Sequence, residues 1–509
     1  MTPNQQAALA EGRPPLMVLM LRLRGGSVYA IGTESAQVEG DDGPIQVAPG
    51  LVVDNIERSV DPFALAGETA LTQARVTITL TDSLVSLAGD YRAVGAASAE
   101  LAMLWPGDTW AMRSSLLMGT RLSGVTLGAA GQPTTFTLEA AQAPTSAVIG
   151  DAARTVGADF PAPIDNAGND LSTLEGVQYP TVHGKPYSSA GVKIGEIGGD
   201  GYDRVVIAGH VWTGVGNVQA FSDDVSLGTF AVQAATATSG AYAYIRSATV
   251  GQFDNDAGAI TIRPIYGGAA GIGGTSPALS LGDMLELWLT TSDLAVDWGR
   301  CRPAIEALRS WPAGVYLDAE TSAIDAVRDH IVSIVPLVEM QGAEGVWFYW
   351  ADLETATPRG TLTEGQELVS AVGGVSLSEI EEVRNSVVVR YAYDEFSGEY
   401  TGNLTVDATN DAAAYLSQQL YGTLAASPIE TVAIADATTA RRVGRSLIQR
   451  RAFQRRSVSW LVSDHAEVEA GEVYTLAISS QSIAENAVAT IVSGTVARVV
   501  TFTVLERAV

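Results

Sequence analysis

The stretch "DATTARRVGRSLIQRRAFQRRSVSW", Asp436–Trp460, changes its hydrophobic period partway along. Ala440, Val443 and Leu447 recur at helical spacing, and Asp436 stands where a helix N-cap belongs. From Ser457 the period becomes two. Val458, Trp460 and Val462 fall on one face, and Ser457, Ser459 and Ser463 on the other, which predicts a half-buried strand. The sequence therefore predicts an amphipathic helix packed on a sheet. The segment also carries seven arginines in a chain whose formal net charge is -27. Arg441, Arg442, Arg445, Arg450 and Arg451 are the candidate contact residues. A solvated helix face is one reading. A contact with another subunit or protein is a second, because the guanidinium fork pairs bidentately with carboxylates. Nucleic-acid binding is a third; it lacks interleaved aromatics apart from Phe453, and so acidic a chain repels polyanions.

The 509 residues allow three or four domains, and 47% hydrophobic with 17% charged content is ordinary for a globular protein. Residues 1–156 read as a β-barrel-like region. "MVLMLRLRGGSVYAIGT" is strand, Gly25–Gly26 turn, strand. "ARVTITLTD" places Val76, Ile78 and Leu80 on one face. "SAELAML" (98–104) reads as a short helix, and "SLLMGTRLSGVTLGAAGQPTTFTLEA" as three strands with glycine turns. Residues 157–274 are Gly/Asp-rich, with alternating runs such as "DRVVIAGHVW", "GTFAVQAATA" and "AITIRPIY", and read as an inserted β domain. Residues 275–376 are α+β: a helix capped by Ser280, then a second with Ile324, Val327, Ile331 and Ile334 on one face, stopped by Pro336. Residues 377–509 form a second β-barrel-like region, with a hairpin around "FSG" and the arginine helix. The fold class is thus mainly β with α+β segments, in several domains.

Little in the chain points to chemistry. Cys301 is the single cysteine, which excludes an intrachain disulfide and reads as a small buried hydrophobe. The four histidines make no HxH or HExxH motif; His210 reads as structural and His330 as part of a solvated helix face. "DNDAG" (254–258) lacks the twelfth-position glutamate of a calcium loop, "GGDGYDR" reads as a similar turn, and "GIGG" (271–274) follows no βαβ unit. No GxSxG occurs. Paired carboxylates for glycosidic hydrolysis cannot be singled out among 57 acidic residues. No enzyme, cofactor or metal is expected. "PLMVLML" from Pro15 is too short for a membrane span and has no cleavage site after it, so synthesis and assembly in the cytoplasm are expected.

An ordered series runs through the C-terminal part: Asn-x-Val-x-Val-x-Tyr at Asn385–Tyr391, Ser-x-x-x-Tyr-Gly at Ser417–Gly422, the arginine helix at Ala440–Arg451, the strand Ser457–Ser463, and the Ala-Gly-Glu-Val strand start at Ala470–Val473. This order resembles the C-terminal half of phage tail hub (baseplate hub, tail-associated) proteins of long-tailed phages and gene transfer agents. "SLGDMLELWLTTSDLAVDWGR" and "YLDAETSAIDAVRDHIVSIV" are similar to the middle region of hubs, and "GVQYPTVHGKPY" and "VVIAGHVW" to their linking segments. The resemblance implies two tail-tube-like barrels per chain and a homotrimer that closes the distal end of the tail tube at the virion tip. The implied partners are the distal tail protein, the tape-measure protein, fibre or spike proteins and, transiently, passing DNA. The arginine helix would sit at an inter-subunit contact. The chain departs from many hubs in ending at the second barrel, so no fibre, peptidase or lysozyme extension is expected. The alternatives are a surface carbohydrate-binding protein acting through the insertion, and a polysaccharide-degrading enzyme.

Overall fold

The computed structural model describes residues 4, 7–8, 11, 13–22, 28–40, 43–59, 73–78, 98–126, 134–140, 148–149, 177–196, 202–210, 212, 216–222, 225–237, 240–249, 252–253, 260–265, 280–292, 294–342, 345–350, 358–395, 397–463, 468, 473–480, 487–494 and 499–505. The Gly25–Gly26 turn, Leu80, Asp254–Gly258, Gly271–Gly274 and most of "GGDGYDR" lie outside these residues.

The fold is mainly β with an α+β part, as the sequence predicts. Leu16–Arg22 pairs antiparallel with Val28–Gly32 on one side and with Ser98–Leu104 on the other. The latter segment is therefore a strand, not the helix its composition suggested. It lies between two neighbours, Leu16–Arg22 and Ser114–Thr126, and register shifts at Ala99–Leu101 and Leu101–Ala102 break its alternation. Ala99, Leu101, Ala102 and Leu104 are all buried in consequence. The three expected strands after it are two, Ser114–Thr126 and Thr134–Ala140. Gly124 lies within the first of these strands, at a register shift between Leu122 and Gly124.

Strands from the two ends of the chain share one 16-stranded sheet. The join is antiparallel, with Ser59 opposite Ser493 and Arg58 opposite Gly494. The insertion strands form a separate 7-stranded sheet. Its order is Val225–Ala231, Asn217–Ser222, Ile260–Ile265, Ser189–Glu196, Asp203–Ala208, Gly240–Arg246, Gln233–Ala237. One face covers a core that includes Val205, Ile207, Phe230, Phe253 and Ile262. The run "GTFAVQAATA" divides between two of these strands rather than forming one.

Five helices are described. Helix α1, Leu281–Thr291, is capped by Ser280, whose hydroxyl accepts the Asp283 N–H, as expected. Helix α2, Trp298–Leu308, was not legible because Pro303 lies inside it; its cap is Asp297, accepting from Arg300 N at 3.1 Å. Helix α3, Ala323–Val327, passes into a π-helical turn, Arg328–Val332. Ile324, Val327, Ile331 and Ile334 are buried on its core side. Helix α4 is Ala412–Tyr421 and helix α5 is Ala437–Arg451, so the last region holds two helices rather than one. Cys301 is buried as read; its Sγ accepts the Phe348 N–H at 3.3 Å, and burial pushes the thiol up to about 11.

The insertion meets the α+β part along Thr181–Gly184, which pairs antiparallel with Gly314–Leu317. At this crossing the Lys185 N–H donates to Ala313 O at 2.8 Å. A methyl group on Gly314 would stand 1.9 Å from the carbonyl carbon of Lys185 and from Pro186 N. Both obstacles are backbone and cannot rotate away. Gly314→Ala is therefore expected to cost about 3 kcal/mol, the upper range for overpacking. Thermal unfolding checks this, and an unchanged midpoint would mean that the crossing can spread.

Candidate contact site around the arginine helix

Helix α5 begins where the sequence places it. The Asp436 carboxylate accepts the Thr438 and Thr439 N–H groups at 3.0 and 2.9 Å. Ala440, Val443, Leu447 and Ile448 are buried and belong to one core with α1, α2, α3 and the Val387–Asp394/Glu399–Val406 hairpin. Gly444 permits this close seating, since a Cβ there would lie 2.6 Å from Val406 Cγ2 and 3.2 Å from Val389 Cγ2. The following strand, Arg456–Val462, buries Val458, Trp460 and Val462 as predicted.

The arginines do not act as one cluster. Arg442 lies over the Trp311 ring, 4.2 Å from its centroid. It also donates to Ser310 O at 2.6 Å and Ser310 Oγ at 3.1 Å. It thus ties α5 to the end of α2. Arg450 is only 1% exposed, and its Nε donates to Ser446 O at 2.9 Å. Arg450 therefore faces the interior of the chain, turned under the helix's own last turn. Arg451, Arg455 and Arg456 are half-buried. The Arg451 carbonyl accepts the Arg384 N–H, and Arg455 exchanges backbone and hydroxyl bonds with Ser378. Arg441 and Arg445 are the exposed members of the group. Arg445 Nε reaches Asp411 at 3.1 Å. The Asp411 side chain is only 5% exposed, so the pair joins a buried carboxylate to a surface guanidinium.

Asp411 also caps α4 through the Ala414 N–H at 3.0 Å. Helix α4 is seated by its polar side. The Asn385 amide donates to Ser417 Oγ at 3.0 Å and Gly422 O at 2.8 Å, and its oxygen accepts Leu424 N–H at 2.7 Å. Ser417 Oγ donates to Ala452 O at the end of α5. Asn385 and Ser417 are completely buried. Tyr415, Leu416 and Leu420 face outward, 52%, 40% and 69% exposed. The helix is thus inverted: polar atoms and the small side chain of Ala414 hold it down, and its large apolar side chains meet solvent. Sequence reading noted Asn385, Ser417 and Gly422 as pattern members but missed this arrangement. One signal could have revealed it: no charged residue occurs from Ala412 to Ile429.

His183, His210 and His330 are structural neighbours around Trp288. His183 is buried and stacks on His210 with ring centroids 5.9 Å apart. Burial, and secondarily His210, push its imidazole down to about 3. His330 is half-buried against Trp288 at 6.1 Å, not on a solvated face, and burial lowers its proton affinity. No group of three or more His, Cys, Asp or Glu side chains is arranged to hold a metal among the described residues.

No protein-family profile matches the chain, and no curated protein matches it. Solved structures match at low level, three of them as follows. A chain of the virion of a native gene transfer agent particle has TM-score 0.45 and 12% identity, covering 65% of this chain and 85% of that one. The 43 kDa tail protein of prophage MuSo2 from Shewanella oneidensis has TM-score 0.39 and 9% identity, covering 96% and 98%. Prophage tail protein gp18 from Listeria monocytogenes EGD-e has TM-score 0.27 and 10% identity, covering 68% and 94%.

The separation of buried from exposed arginines is directly testable. Arg450→Glu places an anion in the core and is expected to cost about 3 kcal/mol or more, lowering soluble yield. Arg441→Glu is expected to stay within about 0.5 kcal/mol of the wild type. Parallel denaturant titrations decide the point; equal losses would contradict the placement.

Proposed function

We propose that this chain is a structural protein of a phage-type tail: a homotrimeric hub that closes the distal end of the tail tube and joins it to fibre or receptor-binding proteins. The observation that carries the reading is the inverted seating of α4. Asn385, Ser417 and Gly422 belong to the ordered series that resembles tail hubs, and they are the residues that pin α4 with its apolar side outward. An apolar helix face joined through Asp411 to the exposed Arg445, on a chain of net charge -27, is suited to a protein neighbour with carboxylates at its rim. It is poorly suited to a polyanion, because two exposed arginines give too little charge.

In this reading the neighbour is the next copy in a closed ring, and Arg441, Arg445 and the half-buried Arg442 and Arg451 border the contact. The distal tail protein and the tape-measure protein are the partners above and within the ring, and DNA passes through transiently. The location is the virion tail tip, after assembly in the host cytoplasm. The role is non-enzymatic. A glycan contact through the insertion is the second reading. It is favoured by Tyr244 and Arg204, half-exposed on adjacent strands with the guanidinium 6.0 Å from the ring centroid.

The first reading is tested by solution mass and negative-stain imaging of the full chain, alone and with the distal tail protein. A hollow three-fold particle is expected. The double variant Leu416→Gln/Leu420→Gln is expected to stay folded by circular dichroism and to lose the ring. Ring formation by that variant would remove α4 from the contact. Absence of any ring with the wild type and its partner would overturn the hub. For the second reading, a glycan array of the full chain is expected to show binding that Tyr244→Ala abolishes.

A further inference from the structure

One edge of the 16-stranded sheet is left open. Its last members are Leu368–Ala371 and Ser376–Leu377, and both pair antiparallel with the same strand, Arg456–Val462. Leu368 bridges back to Glu364. From Val369 onward no strand covers the other side among the described residues. The Val372 N–H donates to Ser459 O at 2.8 Å, and the Ser378 N–H to Arg455 O at 2.8 Å. Bonded and non-bonded positions alternate along an antiparallel ladder. Ala371, opposite Trp460, and Leu377, opposite Arg456, are therefore non-bonded positions. Their backbone N–H and C=O groups point away from the sheet, where an added strand would meet them.

Side chains leave the edge bare as well. Every residue from Val369 to Leu377 is exposed. Val369, Val372 and Leu377 are 53%, 48% and 60% exposed, and Ile380 just beyond them is 44% exposed. Both alternating sets are included, so neither face of this edge rests on the core. Charged residues and prolines, which guard free edges, are absent from Leu368 to Ser378.

Charge begins where the run ends. Glu379, Glu381 and Glu382 are exposed, the last two in the turn Ile380–Glu382. None of the three has an ion-pair partner among the described residues. Arg384, the next cation along the chain, directs its guanidinium to the Glu381 and Val383 carbonyls instead. An occupant of the edge thus meets apolar surface along its length and unpaired carboxylates at one end. A second copy of this chain does not fit that description. Self-pairing about Gly373 would bring Glu379 and Glu382 opposite Glu367 and Glu364 of the other copy, like charges across the strands.

We propose that the edge at 369–377 is a docking site for an extended segment of another protein, added as one more antiparallel strand, whose apolar run is preceded by Lys or Arg. Backbone bonds to Ala371 and Leu377 fix its register, and its apolar side chains cover Val369, Val372 and Leu377. Antiparallel direction sets its N-terminal bases beside Glu379, Glu381 and Glu382. The proposal does not depend on the tail-hub reading.

The test is fluorescence anisotropy of the full chain with a labelled peptide, Lys-Arg-Lys-Thr-Val-Ser-Val-Thr-Val, at low salt. Saturable binding is expected, about tenfold or more tighter than for the same peptide with glutamates in place of its three bases. Ala371→Pro removes an outward N–H and no ladder bond. It is expected to keep the circular dichroism of the wild type and to weaken binding by about tenfold or more. The double variant Glu381→Lys/Glu382→Lys is expected to reverse the preference between the two peptides, which a loss of folding cannot do. Absence of binding to the wild type, equal affinity for wild type and a folded Ala371→Pro, or an unchanged preference in the double variant would each overturn the proposal. So would a dimer, seen by sedimentation, that Ala371→Pro dissolves, since a second copy would then occupy the edge.

Discussion

The structure depends on the seating of α5 in a core that it shares with the hairpin and with α1–α3. This packing is not served by the helix alone. Gly444 must be small for the helix to reach Val389 and Val406, and Arg442 must lie flat on Trp311 to fix the far side. A guanidinium over an indole that also bonds a backbone carbonyl is better held than a lysine would be, because the planar fork satisfies both contacts at once. The concentration of arginine in Asp436–Trp460 is therefore mainly internal. Arg442 fastens the helix to the end of α2, Arg450 bonds back to its own helix, and Arg441 and Arg445 are the exposed members.

That distribution changes what the charge balance means. A basic segment in an acidic chain invites comparison with a nucleic-acid site, but the relevant quantity is exposed charge at one surface, not arginines per stretch. Of the two exposed residues, Arg445 is tied to the apolar helix α4. Asp411 couples the two features, since it caps α4 and holds Arg445. The polar side of α4 is buried and its apolar side is exposed. Water meets a hydrophobic surface there, while the buried side is held by the hydrogen bonds of Asn385, Ser417 and Gln418 and by Ala414 in the core. A neighbour covering Tyr415, Leu416 and Leu420 would recover the missing hydrophobic term.

Local signals were legible in the sequence where they were strong. Ser280 and Asp436 cap the expected helices, and the period change at Ser457 marks a real strand. The hairpin around "FSG" pairs as read. Other features depend on long-range partners and leave little local trace. The strand Ser98–Leu104 is decided by two flanking strands and their register shifts, while its own alanines and leucines favour a helix. Helix α2 is set by a cap and by packing that outweigh Pro303. The join of the chain ends at Ser59–Ser493 is invisible to any local pattern. Of the candidate contact residues, the helical period alone could not tell that Arg450 turns inward, because a long arginine reaches under its helix as readily as away from it.

The insertion is attached in two ways that differ in kind. Thr181–Gly184 against Gly314–Leu317 is a backbone ladder, closed by the tight crossing of Lys185 and Pro186 over Gly314. The Arg263–Asp394 contact is made of side chains instead: an ion pair, and a hydroxyl bridge in which Ser188 accepts the Glu395 N–H. Tyr187 and Ser188 follow directly on the crossing, so the second attachment starts beside the first, and Arg263 on strand Ile260–Ile265 closes it from the far end of the segment.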